Sequence, residues 1–453
     1  MVGADATVAG RLCRCVRGGV EITATTLLLA GAAAPATSEP VEPEKLPLAA
    51  PHAAPPPAAV DSLAAAMRYF TRAVDDAREA VERHPYYADP AERAAGALYF
   101  SSMLLRRIEV ELLQDPDFPW FSSIDHRVRE GGDNPDQRYL SSPIRGGAKY
   151  RIWGRRGGER RIDFQIYAGL PYVPNGGRSV SGLTMEDIRF HPDGTFEVYI
   201  SPDKGAENRL ATASDATSVL VRQTFGPWDE RPPGEIHIDR VGFEGKPKPS
   251  ATPDQVAERF WRAAKALRAI VANWPDFVRR RYVERLPANT LSKPADAVAL
   301  GGLPGRWYSD AWFELEDDEA LILTCWPIPG DYQGIHLTDR WFSSLEYGNR
   351  QTSLNGEQSW TSPDGAYRIV ISASDPGIQN WLDTTGLRRG VILMRFDGMG
   401  VEPFPQAKYP RLEKVKLAEL WRHLPSSTPR VMAAEREKTL AARRRAIQSR
   451  YHN

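Results

Sequence analysis

Asp193-Gly194-Thr195-Phe196-Glu197-Val198-Tyr199-Ile200, followed by Asn208 and then Val219-Leu220-Val221-Arg222, decides the fold because the chain spells this pattern twice. The second copy has Asp364-Gly365, the strand Tyr367–Ile371, Asn380 and Val391-Ile392-Leu393-Met394-Arg395. From Asp to Asn is 15 residues in the first copy and 16 in the second, and from Asn to Arg is 14 and then 15. Each copy has a turn dipeptide, an alternating strand, an Asn and an apolar strand ending in Arg. Agreement of order, spacing and strand polarity points to one β unit used twice.

Working outward, each copy follows a Tyr/Trp-rich segment, at 150–167 and 307–325. In the first, Ile162, Phe164 and Ile166 alternate with Asp163, Gln165 and Tyr167, the pattern of a half-buried strand. Tyr150–Trp153 and Ile162–Tyr167 read as a hairpin turning at Gly157-Gly158. Trp312–Leu315 and Ala320–Cys325 read as another across Glu316–Glu319. Two repeats are too few for a solenoid. The expected fold is therefore α+β, mainly β: two tandem β-sandwich-like units with N-terminal, inter-unit and C-terminal helices. The expected divisions are 1–59 as a leader and Pro/Ala-rich linker, 60–145 as a helical segment and 146–247 as the first β unit. After these come 248–292 as a helical linker, 293–400 as the second β unit and 401–453 as C-terminal helices.

Three helices carry start signals or stripes. Val60, Leu63, Met67, Phe70, Val74, Ala77 and Val81 form one apolar stripe. Asp89, Pro90 and Glu92 read as N-cap, first turn and capping box of a second helix bearing Leu98, Leu105, Ile108 and Leu112. Thr252, Pro253 and Gln255 repeat that signal before Val256, Phe260, Ala263, Leu267, Ile270 and Trp274. The continuation turns Arg279, Arg280 and Arg281 outward. A basic helix from about Thr428 carries Arg436, Arg443, Arg444, Arg445 and Arg450, read as a solvated face.

Composition bounds the function. The chain has 453 residues, enough for two or three packed units, and 42% hydrophobic residues, enough for sizeable cores. Its 58 Lys+Arg balance 58 Asp+Glu, so no net charge draws it to nucleic acid. No stretch reaches the roughly 20 apolar residues of a transmembrane helix. Arg11, Arg14 and Arg17 before Ile22–Ala34 resemble a secretory signal, but Glu21 and three Thr break the pattern. An amphipathic segment outside the fold is the preferred reading, which favours a cytoplasmic location. The three cysteines, Cys13, Cys15 and Cys325, imply neither a disulfide framework nor a thiolate metal site.

The run Asp375-Pro376-Gly377-Ile378-Gln379-Asn380-Trp381-Leu382-Asp383-Thr384, with Gly386 and Arg395, resembles the signature of a bacterial family, domain of unknown function 1214. Tyr347, Ser353-Leu354-Asn355 and Gln358 add to it, as do Asp133-Asn134-Pro135-Asp136 and Tyr150-Arg151-Ile152-Trp153-Gly154. The resemblance runs from about Asp89 to the C-terminus and implies paired sandwich-like units without an established activity. The first copy departs from the pattern, with Asn208-Arg209-Leu210 where the second has Asn380-Trp381-Leu382.

Arg222 and Arg395 are the sharpest candidates for function. Arg395 shares its strand face with Val391 and Leu393, and a desolvated guanidinium needs a carboxylate or a bound anion. Asp383 and Asp229 are candidate partners for a structural ion pair. The functional alternative is recognition of an anionic ligand. Asn380, Trp381 and Tyr347 could add an amide and aromatic surfaces. Asp383 is a weak candidate acid/base for the competing reading, a hydrolase or lyase with its site between the units. Glu235, His237 and Asp239 project in parallel along one strand, which suits solvent better than a metal. No nucleophile elbow, phosphate loop or dinucleotide fingerprint occurs, so no cofactor is expected. A small-molecule ligand is the expected partner.

Overall fold

The computed structural model describes residues 63–170, 173–203, 205, 207–400 and 402–451. The signal-like run and the Pro/Ala-rich linker lie outside the described residues. The first unit contains β1 (Ser122–Ile124), β2 (Gln137–Pro143), β3 (Tyr150–Arg155), β4 (Arg161–Gly169), β5 (Gly177–Leu183), β6 (Thr195–Ser201), β7 (Arg209–Ala211), β8 (Ser218–Thr224) and β9 (Glu235–Arg240). The second contains β10 (Ala295–Asp296), β11 (Trp307–Glu314), β12 (Glu319–Cys325), β13 (Tyr332–Thr338), β14 (Ser353–Asn355), β15 (Tyr367–Ser372), β16 (Trp381–Asp383), β17 (Arg389–Asp397) and β18 (Arg411–Lys416).

Each unit is a two-sheet sandwich. In the first, a five-stranded sheet in the order β1-β2-β8-β4-β5 faces a four-stranded sheet in the order β7-β6-β3-β9. In the second, the orders are β10-β11-β17-β13-β14 and β16-β15-β12-β18. Adding nine to every strand number of the first unit reproduces the second. The match extends to polarity, because β6–β7 and β15–β16 are parallel pairs. Arg222 and Arg395 occupy matching places, opposite Tyr139 in β2 and Tyr308 in β11.

Alternation fills both cores. Ile152, Ile162, Phe164, Val198 and Val221 pack between the first pair of sheets. Leu321, Leu323, Ile369, Ile392 and Met394 do so between the second. Helices α1 (Leu63–Arg83), α2 (Pro90–Arg107) and α3 (Pro253–Val278) cover the outer side of β17, where Val391 and Leu393 meet Trp274, Trp341 and Phe342. The Thr252/Gln255 capping box forms as expected, with the Gln255 amide donating to Thr252 Oγ1 at 3.3 Å. Helix α4 (Ala433–Tyr451) closes the chain.

Several expectations need correction. The two hairpins do not form. β3 pairs with β6 and β9, while β4 pairs with β5 and β8, so the 155–161 connection crosses from one sheet to the other. β11 and β12 are split between sheets in the same way. The expected helical segment 60–145 contains β1 and β2, whose polar sequences hide their strands. The second unit runs past residue 400 to include β18. Glu92 does not close a capping box; it turns inward and accepts from Arg340 Nε at 2.7 Å. The leucine stripe of α2 is inverted, with Leu98 61% and Leu105 48% exposed while Tyr99, Met103, Arg106 and Arg107 are buried.

The basic C-terminal helix is a solvated face only in part, at Arg444 and Arg445. Arg436, Arg443 and Arg450, spaced by seven, are all buried. Arg436 pairs with Asp375 and lies over the Trp381 ring at 5.1 Å. Arg443 lies 3.8 Å from the Trp228 ring centre, and Arg450 lies 4.4 Å from that of Phe225. Helix α4 thus reaches both units through guanidinium groups that stack on aromatic faces and donate to carbonyls.

Candidate functional site

The polar faces of the five-stranded sheets meet between the units. Strand β4, read as half-buried, is buried on both sides: its apolar face lines the sandwich core, and Asp163, Gln165 and Tyr167 face inward as well. Direct bonds tie the faces together. Arg306, just before β11, donates to Asp163 of β4 at 2.6 Å. Arg161 donates to Asp331 at 2.8 Å, and Tyr332 donates to Asp136 at 2.7 Å.

Arg222 and Arg395 enter this layer from opposite units. Arg222 donates to Gln165 Oε1 and to Tyr167 Oη, each at 2.8 Å. Arg395 pairs with Asp310 of β11 at 3.2 Å. The expected partners are engaged elsewhere: Asp383 accepts from Arg350 at 2.8 Å, and Asp229 accepts from Arg231 at 2.7 Å. Burial pushes the Tyr139 hydroxyl up, while the Arg222 and Arg395 guanidinium groups both pull it down. One phenol therefore lies within the field of a cation from each unit.

A third guanidinium joins them. Beyond α3 the helix continues as a π-helical turn, Arg279–Val283, which carries Arg281 inward rather than outward. Arg281 bonds Asp310 Oδ2 at 3.1 Å and lies 5.0 Å from the Tyr308 ring centre. Asp310, 2% exposed, is shared by two arginines, and the Arg395 side chain remains 28% exposed. His336 of β13 borders the same region. Burial, aided by Arg395, pushes its imidazole down to about 3, so the ring is neutral at pH 7. Its Nε2 lies 3.4 Å from the Gly132 carbonyl, and Nδ1 has no partner among the described residues.

The remaining candidates lie apart from this junction. Asn380 uses its amide to clamp the backbone of Trp360, accepting at 2.8 Å and donating at 2.7 Å. Asn208 does the same with Arg189 in the first unit, at 2.8 and 2.9 Å. Trp381 donates to Ser372 and lies beneath Arg436, and Tyr347 packs edge-on against Trp228 under α4. These aromatic surfaces are occupied by the chain's own helix. Asp383 caps the Thr385 amide with its other oxygen at 2.7 Å, so both carboxylate oxygens are engaged. Glu235, His237 and Asp239 lie on β9 facing away from the core, with His237 stacked on Trp153 at 4.2 Å. Among the described residues no group of three or more His, Cys, Asp or Glu could hold a metal.

No family model matches the chain, and no curated protein does. A solved structure of an uncharacterised protein from Burkholderia cenocepacia aligns at 28% identity and TM-score 0.71, over 79% of this chain and 98% of that one. A protein of Vibrio parahaemolyticus aligns at 12% identity and TM-score 0.41, over 76% of this chain and 100% of that one. The Burkholderia likeness extends the two-unit architecture to a second protein and attaches no activity to it. No helix among the described residues is long and apolar enough to cross a membrane.

Sequence reasoning missed Arg281, Asp310, Tyr139 and Tyr308. Tyr139 could have been found by extending the first copy one strand upstream of its Tyr/Trp-rich segment, and Tyr308 stands at the head of the second segment, 307–325. Arg281 could not, because only the π-helical turn carries it inward.

Proposed function

We propose that this protein binds a small amphipathic or anionic organic ligand at the junction of the two units and the end of α3, with Arg395 as the reachable cation. The observation that carries this reading is the sharing of one buried carboxylate, Asp310, between Arg281 and Arg395. Two guanidinium groups on one carboxylate leave a positive charge in poorly solvated surroundings, and an anion from outside would neutralise it. Tyr308, Tyr282 and Tyr139 would supply walls for the ligand's apolar part. This moves the binding role from the Asn380–Trp381 loop, whose aromatic face is covered, to the inter-unit layer. Membership of the domain of unknown function 1214 family, proposed from the Asp375–Thr384 run, adds no activity to this reading.

A thermal-shift screen of carboxylates, sulfates and phosphates tests it, with hits titrated against Arg395→Met and, as control, the half-buried Arg389→Met. Stabilisation of the wild type and of the control, weakened at least tenfold in apparent affinity by Arg395→Met, is the expected result. A panel without hits, or hits indifferent to Arg395, would overturn the proposal.

A further inference from the structure

A second feature lies at a different corner, where the chain leaving α2 meets the loop after β9. Three large apolar side chains are exposed there: Leu113 at 58%, Trp120 at 45% and Val241 at 43%. Phe118, two residues before Trp120, and Phe243, two residues after Val241, meet edge to face at 5.7 Å. Lys248 places its ammonium 5.7 Å from the Trp120 ring centre and 5.9 Å from that of Phe118. Lys246 lies 5.0 Å from the Phe243 ring centre and Arg240 lies 4.1 Å from it. The segment Gly242–Ser250 is exposed except at Phe243.

The charges around these rings are lopsided. Asp115 is held by Lys248 at 3.3 Å and by Arg259 at 3.0 Å. Asp117 is held by Arg145 and Arg240. Glu244 accepts from the Gly242 amide at 2.7 Å. Each aspartate therefore serves two cations, and Lys246 has no carboxylate partner among the described residues. A surface that combines exposed Trp and aliphatic side chains with lysines lying along aromatic rings matches a lipid–water boundary. There the apolar parts enter the acyl region and the ammonium groups extend to anionic headgroups.

We infer that this corner is a peripheral docking surface for an anionic phospholipid bilayer, made by Leu113, Trp120 and Val241 with Lys246 and Lys248. A soluble anion would explain the lysines but leave the three apolar side chains without a role, so charge and apolar exposure together select the bilayer. The contact is reversible and salt-sensitive, because part of it is screened electrostatic attraction. It is independent of the junction at Arg395.

Co-sedimentation of the full chain with phosphatidylcholine vesicles, with and without phosphatidylglycerol, tests this inference. Binding should require the anionic lipid, weaken as salt rises and persist in millimolar inorganic phosphate at constant ionic strength. Trp120→Ser and Lys246→Glu should each lower the partition coefficient about tenfold. Met432→Ser, which alters an exposed apolar residue elsewhere, should leave it unchanged. Circular dichroism and thermal melts verify that the variants are folded. No binding to anionic vesicles, equal binding by the two corner variants, or full displacement by free phosphate would overturn the proposal. So would a concentration-dependent dimer, lost in Trp120→Ser, with no vesicle binding, since the patch would then serve self-association.

Discussion

The guanidinium of Arg443, in the middle of α4, lies 3.8 Å from the ring centre of Trp228, a residue just beyond the last strand of the first unit's five-stranded sheet. It also donates to the Tyr347 and Ser353 carbonyls, each at 3.2 Å, in the second unit. Burial pulls its pKa down to about 10, so it stays charged at neutral pH. Arg443→Met keeps much of the volume but leaves those acceptors unmet. The expected cost is about 2–4 kcal/mol, read as a lower urea midpoint, with α4 becoming the first site of protease cleavage. An unchanged midpoint would mean that α4 does not join the units.

Asp310 carries two cations, so its neutralisation should be costly. Asp310→Asn leaves Arg281 and Arg395 without a carboxylate between them, and an uncompensated buried charge costs about 3–5 kcal/mol. The double variant Asp310→Asn, Arg395→Met removes one of those charges and should recover part of the loss. Denaturant unfolding of both proteins measures the recovery, and its absence would argue against the shared-carboxylate geometry.

Asp339, on the loop after β13, is buried and faces Glu92 and Arg129. Burial first, then Glu92, raises its carboxyl to about 7, against Arg129 and the Ser343 amide, which pull it down. A raised acid pKa in the fold means its contribution is fully present below the ordinary value of 3.8 and is lost as pH climbs through about 7. Asp339→Asn should therefore flatten the fall in stability between about pH 4 and pH 7. Melting temperatures of both proteins across that range provide the check, and parallel profiles would sink the assignment.

Asn208 and Asn380 hold matching backbone segments in the two units, and each also carries its carbonyl to the strand that follows the Asp-Gly turn. Asn380 is buried, so Asn380→Ala should cost about 2–3 kcal/mol, whereas the more open Asn208→Ala should cost about 1 kcal/mol. Equal costs, measured by chemical unfolding, would show that burial does not set the difference.

The repeat spacing, the strand alternation and the Thr252 cap were legible because they depend on neighbours within a few residues or on a pattern written twice. The polar face of β4 was not. Asp163, Gln165 and Tyr167 look like a solvent face until a second sheet is placed over them. The same holds for Arg443: seven-residue spacing marks a helical stripe, but a row of arginines reads as exposed unless aromatic rings and carbonyls wait opposite.

By itself, then, the sequence determined the class of fold, the two-unit plan and the two strands that carry Arg222 and Arg395, since period and turn chemistry are local. Only the tertiary structure decided which arginine meets which carboxylate, that one face of α4 is buried, and that the Trp381 face is covered. Burial of charge is a property of packing between distant segments, and no local pattern records what will lie on the other side.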